Sequence, residues 1–273
     1  MSGGGDRLLG RAAGESKVDC TSGRYPDQRA DAGCRPAAGA AGRGGRMSGG
    51  AGDRLLKLAA AYAPVMLLDE QEPFVPVRCG VTLLEASGPS PSFRRELRFD
   101  PAEVSSVIEY AVYWDYDIGH LYDLEHVWVY LGHQGEVVRC EASFHGKFFL
   151  GLLPDRSNLE DGRRPVLHVQ AGKHAFGAMP ELFRLLPDGE RAGMELAGEG
   201  GVLVPDLFRG TFATDAELDE LAARHLQAFR FRPSHRYRRY EWPADAFAPW
   251  SALREEIPRR MNALLARLRA EAE

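Results

Sequence analysis

Two carboxylates and an imidazole fall within six residues of one another, directly before an apolar segment. His120, Asp123 and Glu125 lie in residues 119–125, and the chain continues as the apolar, β-rich run 126–131. Carboxylates this close repel each other, so in a folded protein they need a cation, a proton or open water nearby. The grouping is typical of an oxygen- and nitrogen-ligated metal site at the start of a strand.

The predicted strand places the two carboxylates on one face. Because side chains alternate along a strand, Asp123 and Glu125 would share a face with Val127, and the two carboxylates would be about 7 Å apart along the strand. One cation can reach both at that separation, directly or through a water. The opposite face would hold His126 and Trp128, so His126 would support the site from behind or belong to the core.

Two aspartates just upstream are candidates to complete the coordination. Asp115 and Asp117 precede the motif, and His120 is expected to enter from the loop between them and the strand. Several carboxylates with one imidazole suit Mg²⁺, Mn²⁺ or Ca²⁺ better than a closed structural zinc site. The alternative is that these aspartates lie in a solvated turn that binds no metal. The number of potential metal-binding side chains beside an aromatic-rich strand favours the metal site.

Two further histidines follow predicted strands and could transfer protons beside a metal. His145 precedes Gly146, and His174 follows Gly172 by two residues, so the backbone can turn sharply at both places. We predict that these turns bring both imidazoles to the same end of the sheet, where they can act near neutral pH. A single histidine is more often a satisfied surface or core residue, and His168, inside a strand, is predicted to be structural.

The charge balance gives no reason to expect general binding to nucleic acids or membranes. The chain has 34 Lys and Arg against 39 Asp and Glu, a net charge of −5 at pH 7. Residues 229–242 hold five arginines interleaved with aromatics, which could bind phosphate or nucleic acid. We favour an exposed strand or hairpin whose arginines pair with acidic residues elsewhere. No P-loop, nucleophile elbow or dinucleotide fingerprint occurs.

Cysteine spacing and hydropathy indicate the compartment. Cys20, Cys34, Cys79 and Cys140 include no Cys-x-x-Cys pair, so free thiols are predicted rather than a zinc knuckle or a disulfide framework. No run of 18 apolar residues predicts a transmembrane helix, and the start of the chain lacks the apolar core of a signal peptide. We therefore expect a cytoplasmic protein.

Residues 1–50 are predicted to form a disordered N-terminal extension. Gly, Ala, Arg and Asp dominate this segment, and such a composition cannot bury enough apolar surface to offset the cost of ordering. The first residues of the chain recur almost unchanged from Met47. We hypothesise that Met47 is the natural start.

The rest of the chain is predicted to form one globule. Apolar spacing predicts a short helix over residues 53–62, followed by a β-rich core within 51–212. The predicted strands lie around 104–114, 126–131, 136–145, 147–153 and 165–171. Residues 213–273 are predicted to be helical, with one helix opened by a Thr214–Glu217 capping box and a second over 251–273 that Pro258 kinks.

The opening motif resembles the Gly-His-Arg-His-Asp-Trp-Glu heptad of the necrosis- and ethylene-inducing-like proteins. Gly119, His120, Asp123 and Glu125 match that heptad without gaps. In that family the matching His, Asp and Glu, with an upstream Asp, surround a divalent cation on a lectin-like β-sandwich. The resemblance therefore implies the same fold and the same cation ligands in this chain.

A second resemblance extends over residues 62–178, to a related family associated with vacuolar protein sorting. That family carries Ala-Pro-Val-Leu, Glu-Pro-Phe, Asp-Trp-Glu-His-Val, Ser-x-His and Gly-Ser-His-Ala segments. Similar segments occur here in the same order at 63–66, 72–76, 123–127, 143–145 and 172–175. Leu124 replaces the Trp, Tyr122 replaces the second His of the toxin heptad, and the toxins' secretion signal and disulfides are missing. The resemblance implies a metal-bearing sandwich without cytolytic activity.

These observations predict a mainly β, lectin-like β-sandwich with a short N-terminal helix and C-terminal helices packed on it. The first hypothesis is a binding module, whose divalent Mg²⁺, Ca²⁺ or Mn²⁺ ion holds a sugar or an anionic headgroup. The second is a metal-dependent hydrolase of phosphoester, ester or glycoside bonds, in which His145 or His174 transfers protons. The third is a protein-interaction subunit with a degenerate site. The sequence leaves the oligomeric state open.

Overall fold

A computed structural model describes residues 49–273 of the chain. The Met47 hypothesis and the predicted disordered extension lie outside the described residues, apart from Gly49 and Gly50, which already belong to a helix. In the described part the α-helices are α1 (Gly49–Tyr62), α2 (Glu181–Arg184), α3 (Ala216–Gln227) and α4 (Trp250–Ala270). The strands are β1 (Val65–Asp69), β2 (Arg78–Leu84), β3 (Gly88–Pro89), β4 (Glu96–Leu97), β5 (Ser106–Tyr116), β6 (His120–Leu131), β7 (Val137–Phe144), β8 (Lys147–Leu150), β9 (Leu159–Glu160), β10 (Arg164–Val169), β11 (Phe176–Gly177), β12 (Gly201–Val202), β13 (Tyr237–Arg239) and β14 (Phe247–Pro249).

Two mixed sheets form the sandwich. The larger sheet has the order β14-β2-β5-β6-β7-β8, and β12 also pairs with β6. The smaller sheet has the order β11-β10-β1-β13, with β9 added to β10. Strands β5 and β6 form the longest antiparallel pair, from Ser106 opposite Leu131 to Tyr116 opposite Leu121. A hairpin turn at residues 132–135 joins β6 to β7, and Gly135 supplies its positive φ of 80°.

The main core lies between the facing sides of the two sheets. Alternate residues of β5 and β6, such as Ile108 and Val129, are fully buried there with Met66 of β1 and Leu167 of β10. A second, smaller core covers the outer side of the large sheet around Trp128. The alternation arises because successive strand residues face opposite sides, and here both sides are covered.

Helix α4 packs its apolar stripe against β2 and β5. Leu253, Ile257 and Met261 recur at helical spacing and are fully buried. Pro258 lies inside α4, which continues through it to Ala270. Gly80 of β2 permits this close packing, since a Cβ there would lie 2.7 Å from Trp250 Cε3. The predicted fold class, a β-sandwich with a leading helix and packed C-terminal helices, is confirmed.

Three details differ from the sequence-based expectation. Helix α1 begins four residues earlier than predicted. The cap of α3 is Asp215 rather than Thr214, because the Asp215 carboxylate accepts the Leu218 N–H at 2.9 Å. Strand β6 begins at His120, so pairing with β5 extends through the predicted loop. Within residues 49–273, no helix is long and apolar enough to cross a membrane.

Candidate functional site

Charged side chains gather where the start of β6 meets the turn that follows β10. The Ile118 N–H donates to the Gly172 carbonyl at 2.8 Å, so this turn is held against the β5–β6 connection. We call the buried and half-buried group at this end of the sandwich the acid–imidazole cluster. Its members are Glu72, Asp117, His120, Asp123, Glu125, Lys173 and His174.

Asp123 and Glu125 share one face of β6, as the alternation predicts. Val127, on the same face, belongs to the core between the sheets, whereas Trp128 belongs to the outer core. Both carboxylates are therefore directed into the sandwich and are largely shielded from water. This is the arrangement in which their mutual repulsion is strongest.

Glu125 shows the consequence of that repulsion. Burial, and then the charge of Asp123, raises the pKa of the Glu125 carboxyl to about 8. The Ser143 hydroxyl donates to Glu125 and opposes this rise, and the same hydroxyl accepts the His126 N–H at 2.6 Å. Glu125 thus holds a proton at neutral pH when no further cation is close.

His174 ties the turn after β10 to the carboxylates. Its Nδ1 lies 2.9 Å from Asp123 Oδ2, and its Nε2 lies 3.6 Å from Glu72 Oε1. The fully buried ring stacks on Trp114, with centroids 4.5 Å apart. Burial lowers the pKa of His174, but the hydrogen bond to Asp123 and the charges of Asp123 and Glu72 outweigh burial and raise it to about 10. His174 is therefore a fixed cation within the cluster.

Asp117 forms an ion pair with Lys173, the second cationic side chain of the cluster. Its Oδ1 accepts Lys173 Nζ and the Gly119 N–H, each at 2.6 Å, and lies 3.9 Å from His120 Nε2. Burial raises the pKa of Asp117, but the charges of Lys173, His120 and His174 outweigh burial and lower it to about 2. Asp117 is thus a buried carboxylate that stays ionised.

His120 is oriented as a ligand would be. Its Nδ1 lies 3.0 Å from the Tyr122 carbonyl, which can only accept, so Nδ1 carries the proton in this contact. In the neutral form of the ring the lone pair belongs to Nε2, which lies 3.9 Å from Asp117 Oδ1. A backbone carbonyl that fixes the tautomer in this way is the usual support of a metal-binding imidazole.

The remaining predicted site residues lie at different distances from the cluster. Asp115 neighbours the inward-facing Trp114, so it faces the opposite side of β5, away from the cluster. Its carboxylate accepts hydrogen bonds from the Arg260 guanidinium of α4 at 2.7 and 3.1 Å. His145 lies in the β7–β8 turn, and its Nε2 is 2.7 Å from Gln170 Oε1. The charges of Lys173 and Asp117 act on the pKa of His145, so the imidazole lies near the cluster. The predicted gathering of two histidines at one end of the sheet is therefore observed.

Three of the six non-glycine residues with a positive φ in the described part of the chain lie at this end of the fold. Tyr122, His145 and His174 have φ angles of 75°, 50° and 56°, in the left-handed region that side chains with a Cβ seldom adopt. All three border the cluster or belong to it. Such conformations persist only where the surroundings enforce them, and they concentrate at functional sites.

The donor atoms suit a divalent cation, but they are not yet closed around one. The oxygens of Asp117, Asp123 and Glu125 with the Nε2 of His120 form the kind of mixed set that Mg²⁺, Mn²⁺ or Ca²⁺ accept. In the part of the chain that the structure describes, no three His, Cys, Asp or Glu side chains converge at ion-binding distance. Coordination would therefore require side chains of the cluster to change position.

Three residues at the site, Glu72, Ser143 and Lys173, were not predicted as site residues. Glu72 accepts the Gly172 N–H at 2.5 Å and the Phe74 N–H at 3.1 Å, so it anchors the turn that carries Lys173 and His174. Ser143 supports Glu125 from β7. All three lie within the family-like segments of the sequence, which was the available signal.

Outside the cluster, two arginines of the arginine-rich segment 229–242 form ion pairs with distant acidic residues. Arg236 pairs with Glu70 at 2.8 Å, and Arg239 pairs with Glu160 at 2.7 Å. This agrees with the expectation that these arginines pair with acidic residues elsewhere. Cys79 and Cys140 are buried free thiols, as predicted, and the other two cysteines lie outside the described residues.

The chain was compared with known families, curated proteins and solved structures. No family model and no curated protein matches it. The solved structure described as NLPPya in complex with glucosamine matches at 19% identity and a TM-score of 0.31, over 45% of this chain and 65% of that one. NLPPya in complex with mannosamine matches at 19% identity and a TM-score of 0.30, over 45% and 65%.

A third similar structure is Necrosis and Ethylene inducing Protein 2 from the causal agent of cocoa's witches' broom disease. It matches at 18% identity and a TM-score of 0.30, over 45% of this chain and 67% of that one. The matches span less than half of this chain and about two thirds of these proteins. The resemblance to the vacuolar-sorting family remains a prediction.

Proposed function

We propose that this chain is a divalent-cation-binding β-sandwich protein that holds a sugar or an anionic headgroup at the cation. The acid–imidazole cluster carries the proposal. Asp117, Asp123, Glu125 and His120 are the ligands, and Mg²⁺, Ca²⁺ or Mn²⁺ is the ion. A bound cation would supply open coordination positions for ligand oxygens.

The charge balance of the cluster supports a cation. Four carboxyl groups, from Glu72, Asp117, Asp123 and Glu125, meet the two cationic side chains Lys173 and His174. Buried carboxylates are costly unless they are paired, protonated or bound to a metal. A divalent ion would balance the acidic excess that Lys173 and His174 leave.

An aromatic rim beside the cluster suits a ligand with an apolar face. Tyr116, which precedes Asp117, stacks on Phe74 at 5.1 Å and on His225 at 5.4 Å. Phe229 packs on Phe74 at 5.2 Å and is 37% exposed. Aromatic rings of this kind offer contact area with little loss of conformational freedom, which supports a sugar as one of the two ligand classes.

Ligand binding with and without the cation tests the proposal. The full chain, stripped with a chelator, would be applied to an array of neutral glycans, amino sugars and anionic headgroups, with and without Ca²⁺, Mg²⁺ or Mn²⁺. We expect binding that needs the ion and that Asp123→Asn abolishes. Binding that is equal in the chelator and in the ion would contradict the role of the metal.

A metal-dependent hydrolase is the second candidate, and the position of His145 favours it. Of the two histidines predicted to transfer protons, His174 is fully buried and charged, whereas His145 is partly exposed in a turn beside the cluster. Burial lowers the pKa of His145, so its imidazole is neutral and able to accept a proton at neutral pH. Turnover of phosphoester, ester or glycoside substrates that His145→Gln removes, with metal affinity unchanged, would support this candidate.

A further inference from the structure

We propose that Lys173 is a tethered cation that competes with the divalent ion for Asp117 and so sets the affinity of the site. The inference rests on the proposed cation site and adds a residue that regulates it. Lys173 Nζ lies 2.6 Å from Asp117 Oδ1, and the Gly119 N–H donates to the same oxygen at the same distance. An ammonium at this position occupies a carboxylate oxygen that an incoming ion would use.

The fold delivers the Lys173 ammonium to this place. The backbone carbonyl of Gln170 accepts the N–H groups of Lys173 at 3.2 Å and His174 at 2.8 Å. Gly172 has a φ of 71°, so the backbone of the turn is tightly bent. The Glu72 carboxylate fastens the same turn by accepting the Gly172 N–H. The lysine stem therefore starts from a fixed backbone rather than from a free loop.

Gly119 leaves room for the ion pair. A Cβ built on Gly119 would lie 3.1 Å from Asp117 Oδ1 and 3.2 Å from Lys173 Nζ. A side chain here would crowd the contact. The glycine that opens the metal-like motif thus also admits the ammonium to Asp117.

Competition follows from the electrostatics of the cluster. A divalent ion that takes Asp117 would lie within a few ångströms of the Lys173 ammonium, and like charges repel strongly at such distances where water is scarce. The lysine side chain is long and partly exposed, at 17%, so it can swing outward when an ion enters. His174 is fully buried and cannot leave in this way.

Two variants test the competition. Lys173→Met removes the charge and keeps most of the stem, and Lys173→Arg keeps the charge as a matched control. Calorimetric titration of Ca²⁺ and Mn²⁺ into each chelator-treated full chain gives the affinities. We expect Lys173→Met to bind roughly tenfold more tightly than the wild type, since a nearby like charge is removed, and Lys173→Arg to stay within about threefold.

A second measurement uses the wild type alone and covers the case in which Lys173→Met fails to fold. The chain has four lysines, Lys17, Lys57, Lys147 and Lys173, so reductive methylation can be followed at each by peptide mass spectrometry. We expect Ca²⁺ or Mn²⁺ to accelerate labelling of Lys173 as the ammonium leaves Asp117. The exposed Lys147 is the internal control and should not change.

The outcomes separate this inference from the proposed function. Metal binding by the wild type that Lys173→Met leaves equal or weaker, with no change in Lys173 labelling, would overturn the competition and leave the cation site standing. Tighter binding in Lys173→Met than in the wild type would support it. Failure of both proteins to bind either ion would overturn the proposed function and this inference with it.

Discussion

His174 Nδ1 lies 2.9 Å from Asp123 Oδ2, and this contact joins the two sheets at the end of the sandwich that carries the acid–imidazole cluster. His174 follows β10 of the smaller sheet, whereas Asp123 belongs to β6 of the larger one. The imidazole also reaches Glu72, which comes soon after β1. One buried cation therefore connects carboxylates from both sheets, so the site and the packing of the fold depend on each other.

Replacing His174 by Gln should destabilise the protein strongly. The change removes a buried cation and leaves Asp123 and Glu72 without their partner, which costs about 3–5 kcal/mol of the free energy of unfolding. Urea denaturation followed by fluorescence measures it. His133→Gln, on an exposed hairpin histidine, is the control and should change stability by less than about 0.5 kcal/mol. Equal stabilities for the two variants would refute the structural role of His174.

Asp117 and Asp115 are only two residues apart but should behave differently toward a cation. Asp117→Asn should weaken cation affinity by at least about tenfold, because it neutralises one of the proposed ligands. Asp115→Asn should leave the affinity unchanged, since Asp115 is engaged with Arg260, and should cost at most about 1 kcal/mol of stability. Calorimetric titration compares the two. A larger loss of affinity in Asp115→Asn would show that the ligands are wrongly assigned.

His126 should make the fold sensitive to mild acid. Burial lowers the pKa of His126 to about 3, below its ordinary value of 6.5. The unfolded chain therefore takes up a proton as pH falls below about 6.5, while the folded chain does not. Stability linked to His126 is complete above that pH and falls by about 1.4 kcal/mol for each pH unit below it.

Replacement of His126 by Phe isolates this effect. The ring stacks on Trp128 and packs against Phe93, so Phe fits the aromatic surroundings. Between about pH 6.5 and pH 5, the wild type should lose roughly 2 kcal/mol more than His126→Phe. Denaturation at a series of pH values measures the difference, and parallel pH profiles for the two proteins would disprove it.

Gly80 should tolerate no side chain, because α4 packs directly on it. A Cβ at Gly80 would lie 2.7 Å from Trp250 Cε3 and 3.1 Å from Leu253 Cδ2. Gly80→Ala should therefore cost about 1–3 kcal/mol through displacement of the helix. Gly88→Ala is the matched control, since a Cβ there meets nothing within 4 Å. Thermal unfolding of both variants measures the difference in stability, and equal melting temperatures would contradict this packing of α4 on β2.

The sequence was most informative where neighbouring residues determine the outcome. Strand alternation correctly placed Asp123 and Glu125 on one face, and apolar spacing found α4 with its buried Leu253. Glycines beside His145 and His174 correctly indicated turns. In each case the structural reason lies within a few residues of the chain, where periodicity and turn chemistry apply.

The errors concern contacts between distant parts of the chain. Asp115 was grouped with Asp117, but its partner is Arg260, 145 positions later in the sequence. Glu72 contacts the Gly172 turn across 100 residues, and no local pattern shows that it does. The packing of distant segments determines these partners, and the local patterns of a single sequence do not predict such contacts.

The proposed function depends on binding of a divalent cation by Asp117, His120, Asp123 and Glu125. Calorimetric titration of Ca²⁺, Mg²⁺ and Mn²⁺ into the chelator-treated full chain measures this binding. We expect saturable binding of one ion per chain for at least one of these metals, a raised melting temperature, and loss of both in Glu125→Gln. Absence of saturable binding and of any thermal shift at millimolar concentrations of all three ions would contradict it.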